Sequence, residues 1–135
     1  EGVDIRDVSA DFFGGQVDFI SVDVSFISLK KIIPKIYELL KSEGTAVVLI
    51  KPQFEAGKEN IGKRGIVKDK KVHVRILEEI NVFAMESGLN AEKYTYSPVK
   101  GGSGNIEYLA KLKKDRLSAE FHDFSKLADS AFNKL

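Results

Sequence analysis

Residues 17–51 read VDFISVDVSFISLKKIIPKIYELLKSEGTAVVLIK. Two apolar runs flank a helical pattern, and the runs end at Asp23 and Lys51. That succession predicts two parallel strands joined by a crossover helix, because parallel neighbours need a long connection and are covered on both faces. Asp23 and Lys51 then fall at the carboxyl ends of adjacent strands, the edge at which open α/β sheets bind ligands.

Within this stretch Val17 to Val22 reads as a short strand rich in β-branched and aromatic residues. Leu29, Ile32, Ile33, Ile36, Leu39 and Leu40 recur at helical spacing with Ser28 as N-cap. Pro34 falls inside that pattern and is expected to bend the helix in its first half. Gly44 is read as the stop, and Thr45 to Ile50 as the second strand.

Upstream, Val3 to Ile5 reads as at most the end of a strand, with Gly14 and Gly15 as a turn. Downstream, Lys51-Pro52 stops regular structure, since the residue before proline is pushed to an extended conformation. The loop from Gln53 to Lys68 carries Gly57, Gly62 and Gly65 and is long for a compact domain, which points to a functional loop. Asp69 caps a helix with the stripe Val72, Ile76, Ile80 and Phe83, and Gly88 ends it. Ala91 to Tyr96 is a strand. The turn SPVKGGSGN is too short for a crossover helix, so Ile106 to Lys113 should run antiparallel to its partner. Leu117, Phe121, Phe124, Ala128, Ala131 and Leu135 make an amphipathic terminal helix, with Phe121, Phe124 and Phe132 expected mainly in the core.

The 135 residues amount to one domain, of a size that buries roughly two thirds of its unfolded surface. Net charge is +1, but its distribution is uneven. Residues 1–23 carry Glu1, Asp4, Asp7, Asp11, Asp18 and Asp23 against Arg6 alone, whereas the loop and its flanks from Lys51 to Lys71 are basic. A locally basic loop in a neutral chain suits an anionic partner held at one place. With no cysteine, disulfides and thiolate metal sites are excluded. His73 and His122 lack ligand spacing, so no metal site is expected. No apolar run approaches the roughly 20 residues that span a bilayer, which makes a cytoplasmic setting the default.

An antiparallel strand begins where its parallel neighbours end, so Glu107 should join Asp23 and Lys51 at one sheet edge. A lysine between two carboxylates is chemically useful, because the acids can position the ammonium while the lysine orients or deprotonates a hydroxyl. From spacing alone, an ordinary ion-pair cluster at strand ends is the favoured reading.

Four blocks in order, DVSFISL (Asp23 to Leu29), KPQFEAG (Lys51 to Gly57), IGKRGIVKD (Ile61 to Asp69) and SPVKGGSGNIEYL (Ser97 to Leu109), resemble the TlyA, or hemolysin A, family of FtsJ-like RNA ribose methyltransferases. The resemblance implies a Rossmann-like α/β methyltransferase fold that moves a methyl group from S-adenosylmethionine to a ribose 2'-hydroxyl of ribosomal RNA. It implies catalytic roles for Asp23, Lys51 and Glu107, the positions that the sheet edge had already brought together. Lys51 would orient or deprotonate the hydroxyl, and Asp23 and Glu107 would organise the pocket. Asp23, Ser25 and Phe26 would border the cofactor, and Lys58, Lys63, Arg64 and Lys68 would hold RNA phosphates.

The family's first lysine, its glycine-rich cofactor loop, its ribose-binding acid and its small RNA-binding domain all have no counterpart here. Gly101 to Gly104 does not replace the cofactor loop, because it joins antiparallel strands and opens no helix. The chain therefore reads as the C-terminal half of a catalytic domain with a mixed sheet, inactive alone. The strand Val17 to Val22 should have one unpaired edge, which invites a homodimer. The competing class is a non-catalytic RNA-binding or self-associating module. Tyr94 and Tyr96 are read as packing rather than base-stacking residues. The terminal helix has mixed charge, which speaks against membrane lysis.

Overall fold

The structure, a computed structural model, describes residues 15–101, 104–115 and 121–135. The readings on Val3 to Ile5, Gly14, Gly102 and Leu117 lie outside these residues. Four strands form one sheet: β1 (Val17–Val22), β2 (Leu40–Ile50), β3 (Asn90–Tyr96) and β4 (Tyr108–Lys113). Their order is β1-β2-β4-β3, with β1 parallel to β2 and β4 antiparallel to both β2 and β3. This is the mixed α/β sheet expected of the C-terminal part of a Rossmann-like methyltransferase, the reversed strand lying between two parallel ones.

Burial alternates along the central strands as a pleated sheet demands. Ala46, Val48 and Ile50 of β2, and Tyr108, Ala110 and Leu112 of β4, face one side and are fully buried there. Their neighbours Val47, Leu49 and Leu109 are only half-buried on the other side. Helix α2 (Lys70–Glu86) covers the closed side with Val72, His73, Ile76, Leu77, Ile80 and Ala84, spaced three and four residues apart. Asp69 accepts from the Lys71 amide at its start, and Gly88 ends it at φ +93°, where Leu89 N–H reaches Ala84 C=O at 2.8 Å. Helix α3 (Phe124–Lys134) packs on α2 and β3.

The first crossover departs from expectation. Ser28 caps only a 3-10 turn, Leu29–Lys31, and α1 is the short helix Ile33–Leu39. Pro34 lies in the first turn of α1, where an amide donor has no intrahelical partner, so it starts this helix, and the expected longer helix is broken just ahead of it at Ile32. Leu40 is already extended, at ψ 139°, and starts β2. Lys114 fixes that exit by donating to the carbonyls of Tyr37 (2.8 Å) and Leu40 (2.7 Å). Glu43 at φ +66° and Gly44 then form an irregular bend inside β2, between the pairs Val17↔Leu40 and Phe19↔Thr45. Leu40 fits the helical stripe because it is fully buried, but its backbone belongs to the strand.

Three further expectations are refined. Tyr94 is buried, donates to Asn81 Oδ1 at 2.8 Å and meets the rings of His122 and Phe124 edge-on, while Tyr96 packs half-buried against the core. Phe124 is buried and Phe132 meets His73 with ring centroids 4.9 Å apart, but Phe121 is 89% exposed and leaves the expected core set. No helix among the described residues is long and apolar enough to cross a membrane.

Candidate active site

The register of the sheet sets the site. Val22 of β1 pairs with Val48 of β2, and Ile50 of β2 pairs with Tyr108 of β4. The residues that follow β1 and β2 and precede β4 therefore share one edge: Asp23, Lys51 and Glu107. Pro52 supports this, since it ends β2 and starts a 3-10 turn, Pro52–Phe54, with Lys51 as its extended cap residue.

Lys51 is the centre of the arrangement. Its side chain is only 12% exposed, and Nζ lies 2.5 Å from Asp23 Oδ1 and donates to Ser25 Oγ at 3.1 Å. Phe54 sits beneath it, 5.9 Å from Nζ to the ring centroid. Asp23, by contrast, is 66% exposed. Glu107 is buried just ahead of β4, and the Ser97 amide donates to its carbonyl at 2.8 Å, which extends the β3 to β4 pairing past the strand end. The Glu107 carboxylate accepts from Gln53 Nε2 at 2.9 Å and makes no ion pair with Lys51 within 4 Å.

Between these groups lies a cleft of about 440 Å³ lined by Ser25, Phe26, Lys51, Gln53, Phe54, Ile61, Gly65, Asn105 and Glu107. Phe26 stands at its mouth, 89% exposed, at φ +65°, with its ring 5.0 Å from that of Phe54. The structure thus gathers Ser25, Phe26, Lys51 and Glu107 around one space and holds Asp23 against Lys51.

The loop from Gln53 to Lys68 is not irregular. It folds through three 3-10 turns and buries Ala56 and Val67. Glu55 anchors it by accepting from Ser28 Oγ and from the Leu29 amide, both at 2.7 Å. Burial pushes the Glu55 carboxyl above its ordinary range, against the lowering pull of those two hydrogen bonds. Asn105 clamps the far end, accepting from the Val67 amide at 3.0 Å and donating to Gly65 C=O at 2.8 Å. His73 of α2 holds the Val67 carbonyl at 2.9 Å and the Tyr108 hydroxyl at 2.8 Å. A carbonyl can only accept, so Nε2 carries the proton and Nδ1 accepts from Tyr108. Burial holds the imidazole below its usual value, hence neutral.

Lys58, Lys63, Arg64 and Lys68 are all exposed on this loop, and none makes an ion pair within 4 Å among the described residues. They lie around the segment that carries Ile61 and Gly65 into the cleft wall rather than in the cleft itself. His122 Nε2 donates to the Ala91 carbonyl, 2.9 Å away, which gives the residue a packing role beside Tyr94. No cluster of three or more potential metal ligands occurs among the described residues. Two residues of the site escape sequence reasoning: Gln53, two positions after Lys51, and Asn105, the last residue of GGSGN. Their side chains meet partners 54 and 38 positions away, so only their place inside the quoted blocks could have marked them.

The mixed sheet with its flanking helices has the Rossmann-like architecture of methyltransferases, and a lysine held by a carboxylate and a hydroxyl stands at its carboxyl edge. The profile of the FtsJ-like methyltransferases matches residues 1–114, and the chain belongs to that family. It is 46% identical over 103 residues to YqxC, a presumptive rRNA methyltransferase of Bacillus subtilis, covering 76% of this chain and 37% of that protein. It is 34% identical over 113 residues to the 16S/23S rRNA (cytidine-2'-O)-methyltransferase TlyA of Mycobacterium tuberculosis, covering 84% of this chain and 42% of TlyA. A solved Streptococcus thermophilus protein described as a presumptive hemolysin superposes with TM-score 0.91 at 38% identity, over 98% of this chain and 49% of that one. The chain thus spans less than half the length of each of these three relatives.

Proposed function

We propose that this chain is the substrate-side half of the catalytic domain of an RNA ribose 2'-O-methyltransferase acting on ribosomal RNA. The observation that carries the reading is Lys51, nearly buried at the wall of the cleft and held by Asp23 and Ser25, with buried Glu107 on the same cleft. Family membership and the rRNA methyltransferase names of YqxC and TlyA support it.

In this reading Asp23 and Ser25 orient Nζ, which hydrogen-bonds the ribose 2'-hydroxyl and, in its amine form, accepts the proton that leaves it. Glu107 accepts a hydrogen bond from the sugar and keeps it in the cleft. The exposed cations Lys58, Lys63, Arg64 and Lys68 bind flanking phosphates, an interaction that weakens as salt rises. The acidic and hydroxyl groups of Asp23 and Ser25, with the exposed ring of Phe26, fit the positively charged methionine end of S-adenosylmethionine, which when bound supplies the methyl group. The remaining contacts to that cofactor come from an upstream half of the domain, so the 135 residues alone are inactive.

The deciding experiment is Lys51→Ala in the intact protein, with methyl transfer to ribosomal RNA as the readout. Loss of a positioned general base costs roughly 10²–10⁴ in rate, while the fold and RNA affinity stay as in the parent. Unchanged turnover overturns the assignment. A second reading, a non-catalytic self-associating module, draws on β1, which among the described residues pairs only with β2 and leaves Phe19 58% exposed.

A further inference from the structure

Glu107 has a holder that is not one of the three acidic and basic residues at the edge. The residue is 5% exposed, and its carboxylate lies beyond ion-pair distance from Lys51 and takes its side-chain hydrogen bond from Gln53 Nε2 at 2.9 Å. On another side it meets Gly101, where any Cβ would collide with the carboxylate. A carboxylate that accepts leaves the Gln53 amide no choice of orientation: the NH₂ faces Glu107, and the carbonyl oxygen points elsewhere. That oxygen, Oε1, is buried and has no hydrogen-bond partner among the described residues.

A buried acceptor left without a partner is destabilising. Leucine or methionine would fill the same space without that orphaned oxygen but would leave the buried Glu107 carboxylate without its donor, so the amide is there for Glu107. Its backbone is equally constrained. Gln53 sits in the turn that begins at Lys51, closed by Phe54 N–H to Lys51 C=O at 2.9 Å and Ala56 N–H to Pro52 C=O at 2.9 Å. The residue that carries the central amine and the residue that grips the second carboxylate are thus two positions apart on one rigid turn.

We propose that Gln53 is a positioning residue that sets Glu107 relative to Lys51 for the bound ribose. The assignment rests on the methyltransferase reading above and adds to it a residue that acts only through Glu107. The experiment compares the intact wild-type protein with Gln53→Leu, Gln53→Glu, Glu107→Gln and the double variant Gln53→Leu/Glu107→Gln, each first checked for native circular dichroism. S-adenosylmethionine and ribosomal RNA are the substrates.

Gln53→Leu is expected to lower kcat by up to about 100-fold, as a misplacement of about 1 Å can, while KM for both substrates stays within about twofold of the parent, since the residue serves geometry rather than uniform binding. The double variant is expected to be no slower than Glu107→Gln, because a residue acting through Glu107 has nothing left to act on. Gln53→Glu puts two carboxylates in contact. Its activity should recover as pH is lowered and the pair comes to share a proton, a recovery that Gln53→Leu does not show. A kcat for Gln53→Leu within twofold of wild type, or additive losses in the double variant, overturns the assignment of Gln53 alone. Methyl transfer that is absent from the wild type, or indifferent to Lys51→Ala, sinks the site reading and this inference with it.

Discussion

His73 offers the sharpest test of how the cleft is held. It is fully buried, yet it sits in the apolar stripe of α2 and joins three parts of the chain. Its imidazole donates to the Val67 carbonyl in the cleft loop and accepts from Tyr108 at the head of β4, next to Glu107. Replacing it by leucine keeps the volume apolar but strands the Tyr108 hydroxyl and the Val67 carbonyl. Two buried groups left unpaired cost about 1–3 kcal/mol each, so about 2–6 kcal/mol together. Losing the edge-on contacts to Phe132 and Tyr108 adds to this. Against a total of about 5–15 kcal/mol for a domain, that is a large fraction. Urea unfolding followed by circular dichroism should show a lower midpoint with an unchanged slope. The pH dependence has a definite sign. Burial lowers the His73 pKa below its usual 6.5, so the unfolded chain takes up a proton that the folded one refuses, and stability is lost as pH falls below 6.5. The leucine variant lacks that part of the slope. A loss below about 1 kcal/mol, or the same slope in both proteins, would refute the tautomer and the double anchoring argued from these contacts.

Glu55→Gln should show the opposite dependence. Burial raises the Glu55 pKa above 4.5, so its contribution to stability is lost as pH climbs above that value, and the variant should gain on the parent between acid and neutral pH. A difference that is constant with pH, measured by the same unfolding assay, would show that the carboxylate is not the source. For the β1 edge, the 135-residue chain is expected to associate with rising concentration in sedimentation velocity runs, and Phe19→Lys to weaken that association, because a charged edge repels pairing. A monomer at all concentrations would count against the exposed edge as a dimer surface.

Much of the sheet was readable because its signals are local. Val17 to Lys51 carries the strand, helix and strand succession within one window, and SPVKGGSGN is short enough to force the reversal of β4. The shared edge of Asp23, Lys51 and Glu107 followed from that topology, since all three flank strand ends. The helix boundary was not readable, because Leu40 satisfies the apolar spacing whether its backbone is helical or extended. It is the Lys114 side chain, arriving from 74 positions away, that accompanies the strand conformation. The order of the loop was hidden for the same reason. Glu55, Asn105 and His73 look unremarkable in sequence, and each acts on a partner that the fold alone brings near.

The unfavourable terms of the structure point the same way as the triad. The Lys51–Asp23 pair, with one partner 66% exposed, is worth at most about 1 kcal/mol to stability. A cluster kept only for stability would be a poor use of that edge. Around it the chain accepts definite costs. Phe26 holds a left-handed backbone, a conformation costing about 1–3 kcal/mol in a residue other than glycine, and leaves its ring in solvent. Arg64, on the loop beside Gly65, does the same at φ +66°. Gln53 buries an oxygen without a partner. Of the three such backbone positions among the described residues, two flank the cleft, and the third, Glu43, lies in the bend of β2. Local rules are broken where the surrounding structure enforces a geometry that stability does not reward. An ion-pair cluster at strand ends has no need of that geometry, whereas the proposed site, which would place one hydroxyl against one lysine, does.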